Sequence, residues 1–177
     1  MGETVIASIG QGYDLVTPMQ VARYTAFLAT SRLVTPKLAK SINGEAVKDK
    51  SQKLSLHKEY LQTIRQGMYD VCNSKKGTAY RTLSKLPVIV AGKTGTSQVV
   101  SISQDTKKRL KEEELEYYSR SHAWITTYAP YDNPQYVVTV LVEHGGHGGS
   151  TAGPIAADIY RWLYENGYFK KSAMDAF

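Results

Sequence analysis

The residues with the clearest chemical potential form the segment Ala91-Gly92-Lys93-Thr94-Gly95-Thr96-Ser97-Gln98, which follows the apolar run Val88-Ile89-Val90. β-Branched residues favour a strand, and glycines within a strand let another chain approach the backbone closely. Lys93 supplies a compact positive charge, and the hydroxyls of Thr94 and Thr96 face one side of an extended chain because these residues lie two positions apart. The segment therefore predicts a strand edge that binds an anion, such as the carboxylate of a peptide that pairs with the strand.

The tripeptide Lys93-Thr94-Gly95 is common, and by itself it more often marks only a strand that ends in a turn. Lys-Thr-Gly is also the third motif of penicillin-binding proteins and serine β-lactamases, where it follows a nucleophile motif Ser-x-x-Lys and a Ser-x-Asn-type motif. Further short motifs accompany it here: Ile9-Gly10-Gln11-Gly12, Thr17-Pro18-Met19-Gln20, Gly67-Met68-Tyr69, Gly77-Thr78-Ala79, Ala129-Pro130-Tyr131-Asp132-Asn133-Pro134 and Gly145-Gly146-His147-Gly148-Gly149.

In their order and spacing these motifs resemble the C-terminal half of the transpeptidase domain of class B penicillin-binding proteins, and among them the elongation-type enzymes. The resemblance covers nearly the whole chain, from Ile6 to Trp162. It implies that residues 1–177 are one C-terminal portion of a transpeptidase domain. A serine β-lactamase matches less well, because no segment resembles that family's water-activating glutamate.

The activity that the resemblance implies is D,D-transpeptidation of peptidoglycan through a serine acyl-enzyme, a two-step covalent reaction. By similarity, Lys93 and Thr96 are the catalytic residues of this chain, Lys93 through its positive potential and Thr96 through a backbone N–H that stabilises the oxyanion. Thr94, Gly95 and Thr96 are by the same similarity the residues that bind the substrate, whose terminal carboxylate is bonded by the two hydroxyls.

The resemblance also implies the partners and the setting. The expected partners are peptidoglycan stem peptides, β-lactam antibiotics and elongation-machinery proteins of the cell envelope, with no nucleic acid. The expected location is the periplasmic side of the bacterial inner membrane, with the membrane anchor outside this chain. No metal or organic cofactor is implied.

The nucleophile motif is where the sequence departs from the family. One Ser-x-x-Lys occurs, Ser55-Leu56-His57-Lys58, and one Ser-x-Asn, Ser41-Ile42-Asn43, but their order is reversed relative to the family and they lie close together. Asn43-Gly44 is typical of a hairpin turn, and Ser55 is interpreted as a helix N-cap. We therefore expect both matches to be accidental, the nucleophile to lie upstream of this chain, and the chain alone to be inactive.

The periodicity of apolar residues predicts an α/β (α+β) fold in which helices flank an antiparallel sheet. Thr17 is predicted to cap a helix, with Pro18 in its first turn and Gln20 closing a capping box. The nearly continuous apolar run 136–142 is predicted to lie centrally in the sheet with both faces covered. The predicted elements are helices from Pro18 through Leu28, 57–72 and 154–164, strands 88–100, 122–129 and 136–143, an extended stretch 33–42, a polar loop 43–53, and an exposed helix or loop 101–120.

The resemblance and the composition together leave three classes of function open. The 22 Lys and Arg against 16 Asp and Glu give a net charge of +6, which permits attraction to nucleic acid or anionic lipid. The basic residues are scattered and lack the aromatic pattern of nucleic-acid-binding strands, so a solvated surface is the better explanation. The alternatives are therefore part of a transpeptidase, a non-catalytic module of the same fold that binds peptides or a partner, and a basic surface protein.

Two further features have ordinary explanations. The single Cys72 is predicted to be packed on a helix rather than reactive. His144 and His147 lie three residues apart within a glycine-rich run, but a catalytic zinc needs at least a third ligand, and no cysteine or carboxylate cluster is adjacent. We interpret His147 as a residue that helps to shape one end of the active-site cleft.

Overall fold

The computed structural model describes residues 2–8, 10–12, 15–99 and 111–170. In the first half two helices are followed by four short strands and two further helices, and a sheet and a final helix form the second half. In chain order the elements are α1 Gly2–Ser8, α2 Pro18–Thr30, β1 Arg32–Leu33, β2 Ser41–Ile42, β3 Glu45–Ala46, β4 Gln52–Lys53, α3 Lys58–Asn73, α4 Tyr80–Leu83, β5 Ala91–Ser97, β6 His122–Ala129, β7 Tyr136–Val142 and α5 Gly153–Glu165.

The largest sheet formed by the described residues is antiparallel, with strand order β5-β6-β7. Lys93 pairs with Thr126 and Thr94 pairs with Ile125. One face packs on α2 and α3 through Leu28, Leu61 and Met68, whereas the other face packs on α5. The predicted class, an antiparallel sheet flanked by helices, is confirmed.

Helix α2 begins where its local signals predict. The Thr17 hydroxyl accepts a hydrogen bond from the backbone N–H of Gln20, and the Gln20 side chain accepts one from the N–H of Thr17. Pro18 occupies the first helical position, where its missing N–H costs no intrahelical bond. The helix ends at Thr30, before Ser31 adopts the left-handed conformation with φ 59°.

The predicted N-cap of α3 is wrong. His57, not Ser55, is the N-cap residue, and no side chain caps the helix. Ser55 follows β4 in a non-helical stretch, because Leu54 donates its N–H to the Ser31 carbonyl and continues the pairing of β1 with β4. The predicted range 57–72 otherwise agrees with Lys58–Asn73.

Three other predictions need correction. Strand β5 begins at Ala91, so the apolar run 88–90 precedes it, and residue 100 lies outside the described residues. Among the described strands β7 lies at an edge and β6 is central; β7 is apolar because α2 and α5 contact it, not because it is central. The predicted loop 43–53 contains β3 and β4, which pair with β2 and β1.

Within 101–120, the described part, 111–120, forms two short 3-10 turns, Glu112–Glu114 and Tyr117–Ser119. Residues 101–110 lie outside the described residues.

Asn43 and Gly44, at φ 51° and 86°, form the predicted hairpin turn between β2 and β3. Helix α5 extends one residue beyond its predicted range at each end. None of the described helices is both long enough and apolar enough to cross a membrane.

Helix α5 is bonded to the sheet by a buried polar contact as well as by apolar packing. The Tyr160 hydroxyl lies 3.0 Å from the Thr127 hydroxyl, which donates to the Val138 carbonyl at 3.0 Å. Both side chains are completely buried, and burial raises the pKa of the Tyr160 hydroxyl. The pair therefore fixes the position of α5 over β6 and β7 without leaving a buried hydroxyl unpaired.

Cys72 is completely buried near the end of α3, and burial raises the pKa of its thiol to about 12. Because the thiolate is the reactive form, we expect Cys72 of the native chain to react with DTNB at least about a hundredfold more slowly than in denaturant. A chain carrying Cys72→Ala and Ser55→Cys, with its thiol at an exposed position, should react at once. Fast native labelling of Cys72 would contradict the buried position.

Candidate functional site

The candidate site is the edge of β5 that faces away from β6. The Thr96 carbonyl accepts a hydrogen bond from Gln11 Nε2 at 2.7 Å, and the Thr94 carbonyl accepts one from Lys93 Nζ. Four positions before Thr94, the Val90 carbonyl accepts a bond from the Asn73 side chain of α3 at 2.9 Å. The carbonyls of Val90, Thr94 and Thr96, all at even-numbered positions, therefore have partners outside the sheet.

This alternation determines which backbone groups a ligand can reach. In an antiparallel pair, alternate residues direct both N–H and C=O towards the partner strand, and the residues between them direct both groups away. Since the carbonyls of Thr94 and Thr96 are contacted from outside the sheet, we infer that their N–H groups also point to the outer edge. β5 thus offers an extended ligand a row of donors and acceptors.

Lys93 brings a positive charge to the same edge. It is exposed and lies on the sheet face opposite to Thr94 and Thr96, but its ammonium reaches the Thr94 carbonyl. The predicted arrangement of two hydroxyl-bearing residues on one side of the strand follows from the pairing register. An anion at the outer edge can therefore approach the ammonium and the backbone donors together.

Thr94 has a side-chain partner that the strand pattern does not reveal. Its hydroxyl lies 2.7 Å from the hydroxyl of Thr78, which precedes α4. Gln11 is a similar case, since it contacts Thr96 across 85 residues of sequence. The available signal for both was the set of accompanying motifs, which includes Gly10-Gln11-Gly12 and Gly77-Thr78-Ala79.

Two cavities adjoin Lys93. One, of about 310 Å³, is lined by residues 10–11 and 93–97 and therefore includes all four predicted site residues, Lys93, Thr94, Gly95 and Thr96. The other, of about 690 Å³, lies on the α2 side of the sheet and is lined by Lys93, His122 and Trp124 among others. Two adjoining spaces beside the lysine are thus large enough for a ligand.

The glycine-rich run after β7 packs directly on β5 and β6. A Cβ at Gly148 would overlap the Trp124 carbonyl and come within 2.6 Å of the Gly95 carbonyl, so only glycine fits this approach. Gly149 likewise packs against the Thr78 carbonyl. His147, predicted to shape one end of the cleft, is exposed and immediately precedes this contact.

His144, one of the two histidines predicted to be poor metal ligands, has other contacts. His144 lies 4.7 Å from His122 between ring centroids, and its backbone N–H donates to Nδ1 of His122 at 2.9 Å. Because its own Nδ1 lies 3.2 Å from the carbonyl of Arg120, that nitrogen carries the proton of this bond. Among the described residues, no group of three or more His, Cys, Asp and Glu side chains is arranged to hold a metal ion.

A helix-flanked antiparallel sheet with an accessible edge strand is the architecture of a penicillin-binding transpeptidase domain. The sequence profile of the penicillin binding protein transpeptidase domain matches residues 3–161. The chain belongs to the penicillin-binding protein transpeptidase domain family.

Individual relatives agree with this assignment. The chain is 38% identical over 166 residues to peptidoglycan D,D-transpeptidase MrdA of Haemophilus influenzae, covering 89% of the chain and 25% of the relative. It is 36% identical over 160 residues to MrdA of Acinetobacter baumannii, covering 85% of the chain and 23% of that relative. The chain thus spans about a quarter of the length of these curated relatives.

Solved structures give the same result. The complex between the penicillin-binding protein PBP2 and MreC from Helicobacter pylori matches with a TM-score of 0.78 and 42% identity, covering 95% of this chain and 28% of the matched chain. Pseudomonas aeruginosa PBP2 in complex with WCK 5153 matches with a TM-score of 0.76 and 33% identity, covering 99% of this chain and 36% of the matched chain. The predicted resemblance to class B, elongation-type penicillin-binding proteins is confirmed.

The glycine packing leads to a stability prediction with a matched control. Gly148→Ala should lower the free energy of unfolding by about 3 kcal/mol, because the added methyl must displace the backbone of β5 or β6. Gly67→Ala should raise it by about 1 kcal/mol, because Gly67 is an exposed position within α3 and nothing lies within 4 Å of the added atom. Urea denaturation measures both. A Gly148→Ala chain as stable as the Gly67→Ala chain would contradict the close packing.

Proposed function

We propose that this chain is the C-terminal portion of the transpeptidase domain of a peptidoglycan D,D-transpeptidase and contributes the strand that holds the donor peptide. The observation that carries the proposal is the accessible outer edge of β5, where the backbone of Thr94 and Thr96 and the ammonium of Lys93 meet. Membership of the transpeptidase family and relatives that are D,D-transpeptidases support it.

In the proposed reaction the stem peptide pairs with β5 as an added strand. Its terminal carboxylate lies at Lys93 and at the hydroxyls of Thr94 and Thr96, while Gly95 allows close approach of the peptide backbone. The nucleophilic serine attacks the D-Ala-D-Ala carbonyl, the peptide bond breaks and the terminal D-Ala leaves as the free amine; the N–H of Thr96 is one of two donors to the oxyanion. An amine of a neighbouring stem peptide then attacks the ester carbonyl of the acyl-enzyme, which forms the crosslink and releases the serine hydroxyl. Losing one oxyanion donor typically costs about 3 kcal/mol of transition-state stabilisation.

The nucleophile in this proposal comes from outside residues 1–177. Neither Ser41 nor Ser55 is among the described residues that line the two cavities beside Lys93. Ser41 lies in the β2–β3 hairpin, and Ser55 lines a different groove, against α3. The cavity of about 690 Å³ on the α2 side of the sheet is the space that the nucleophile-bearing segment would fill.

The setting of the reaction is part of the proposal. β-Lactams, as mimics of the donor peptide, would acylate the same serine. The periplasmic side of the inner membrane is the proposed location, because peptidoglycan crosslinking takes place there. Proteins of the elongation machinery are the proposed partners; a solved relative is a PBP2 complex with MreC, and another belongs to a peptidoglycan synthase complex.

The first test is intact-mass spectrometry of this chain after incubation with benzylpenicillin. We expect no mass increase, because the proposed chain carries the anion-binding edge without the nucleophile. Denatured chain serves as the control for non-specific acylation. A stoichiometric adduct on the native chain would place a reactive serine within residues 1–177, with Ser55 and Ser97 the first positions to map.

The second test examines Lys93 in a longer form of the protein that includes the upstream part of the domain. Lys93→Ala should slow acylation by a fluorescent penicillin about a hundredfold, because the positive charge beside the carboxylate and oxyanion is lost. Lys85→Ala removes an equally exposed lysine that lines neither cavity, and should acylate at the normal rate. Near-normal acylation of the Lys93→Ala protein would remove Lys93 from the active site.

A further inference from the structure

The net charge of the chain is concentrated in one short region. Residues 32–58, which we call the basic segment, contain seven Lys and Arg and two Asp and Glu, a net charge of 7 − 2 = +5. The whole chain carries +6, so the other residues together contribute 6 − 5 = +1. Of the two acidic residues, Asp49 pairs with Arg32 at 3.2 Å and accepts a hydrogen bond from the backbone of Ser51. The charge of the lysines therefore dominates this surface.

The basic segment is not used to build the described core. It folds as two small antiparallel pairs, β1 with β4 and β2 with β3. Neither cluster of buried apolar residues found in the described chain includes a residue of this segment. Leu38 is fully exposed and Ile42 is 61% exposed. Cations and apolar side chains are thus presented together to solvent on this segment.

A groove lies where the basic segment meets α3. It has a volume of about 460 Å³, and its apolar part is formed by Leu54, Leu56 and Leu61. Lys53, Lys58 and Arg65 supply the charges, and none of the described residues that line the groove is acidic. The volume is within the range of sites that hold a small ligand or a few side chains, roughly 300–1,000 Å³, rather than a folded domain.

One of the three cations is fixed in place before any ligand binds. Arg65 donates from Nε to the Leu28 carbonyl at 2.6 Å and from Nη2 to the Ser31 hydroxyl at 3.2 Å. Lys53 and Lys58 are exposed and can adjust to the ligand. A fixed guanidinium beside an apolar floor favours a carboxylate that is attached to an apolar group.

We propose that this groove is a docking site for an acidic, amphipathic peptide segment of a partner protein. Glutamates or aspartates of the segment pair with Lys53, Lys58 and Arg65, and an apolar side chain fills the space against Leu54 and Leu56. Charge complementarity selects an acidic occupant, and the apolar floor selects a peptide over a wholly polar polyanion. The site is separate from the outer edge of β5, and the proposal does not depend on the transpeptidase reaction.

The experiment measures fluorescence anisotropy of a short labelled peptide that is rich in Glu and contains two spaced Leu residues. With the whole chain as it stands, we expect saturable binding that weakens as salt is added, because the contacts are exposed to solvent. The Lys53→Glu/Lys58→Glu chain should bind about tenfold more weakly. The Lys40→Glu/Lys48→Glu chain has the same net charge and changes lysines that do not line the groove, so it should bind within about threefold of the unaltered chain.

A second pair of measurements tests the apolar part. Leu56→Ser, at a position that is 49% exposed, should weaken binding without unfolding the chain, and circular dichroism checks the fold. A peptide with Ser in place of both Leu residues should also bind weakly. The proposal would be overturned if the two double variants lost the same amount of affinity, or if the Ser peptide bound as tightly as the Leu peptide. Absence of saturable binding to the unaltered chain would also overturn it. The proposal would also be overturned if the chain bound phosphatidylglycerol vesicles more strongly than the peptide, and if the Lys53→Glu/Lys58→Glu change did not weaken that binding. Such a result would indicate a lipid-binding surface.

Discussion

Among the described strands, β5 pairs with a neighbouring strand along one side only, and the candidate site depends on this asymmetry. Its partner β6 pairs with it from Ala91 to Ser97, which leaves the other edge open among the described residues. An open edge is a hazard, because it can pair with any extended chain. Here the edge carries the exposed charge of Lys93, and the Gln11 side chain contacts it through the Thr96 carbonyl. The lysine charge and the Gln11 contact make pairing with an arbitrary strand less favourable. The remaining backbone groups of the edge stay accessible to a ligand.

The contacts that pack against the two faces of the sheet differ in kind. On the α5 side the contact is close, with Gly148 against the backbone of Gly95 and Trp124 and with Tyr160 bonded to Thr127. On the α2 side a chain of hydroxyls crosses the interface, since the Thr126 hydroxyl lies 2.7 Å from that of Thr25 and 2.8 Å from that of Thr139. Partly buried hydroxyls that satisfy one another specify position as well as stability. Both faces therefore determine the position of β5.

The sequence predicted best those features whose cause is local. The capping box of α2 requires only Thr17, Pro18 and Gln20, and the end of β6 is marked by the turn residues that directly follow it. Ser55 failed as an N-cap because the pairing of β1 with β4, decided by residues 31–33, keeps the chain non-helical until His57. The prediction that 136–142 is a central strand was wrong because an edge strand whose two faces are covered by helices has the same apolar run as a central strand.

The candidate site was predicted in part for the same reason. The types and spacing of Lys93, Thr94, Gly95 and Thr96 indicate an anion-binding strand, and all four line one cavity. The contacts of Gln11 with Thr96 and of Thr78 with Thr94 depend on how distant segments fold together, which neither periodicity nor composition encodes. The family motifs included these residues but assigned them no contact.

The distribution of charge separates two ways of attracting an anion. A net charge of +6 looks like a general property of the surface, yet residues 32–58 carry +5 of it. At the outer edge of β5 the exposed ammonium of Lys93 lies beside oriented backbone groups, whose contribution depends on geometry as well as on charge. The groove against α3 relies on exposed lysines, whose attraction is screened over about 10 Å at 0.1 M salt. One site is thus suited to hold a reacting group in a fixed position, and the other to capture a flexible acidic segment.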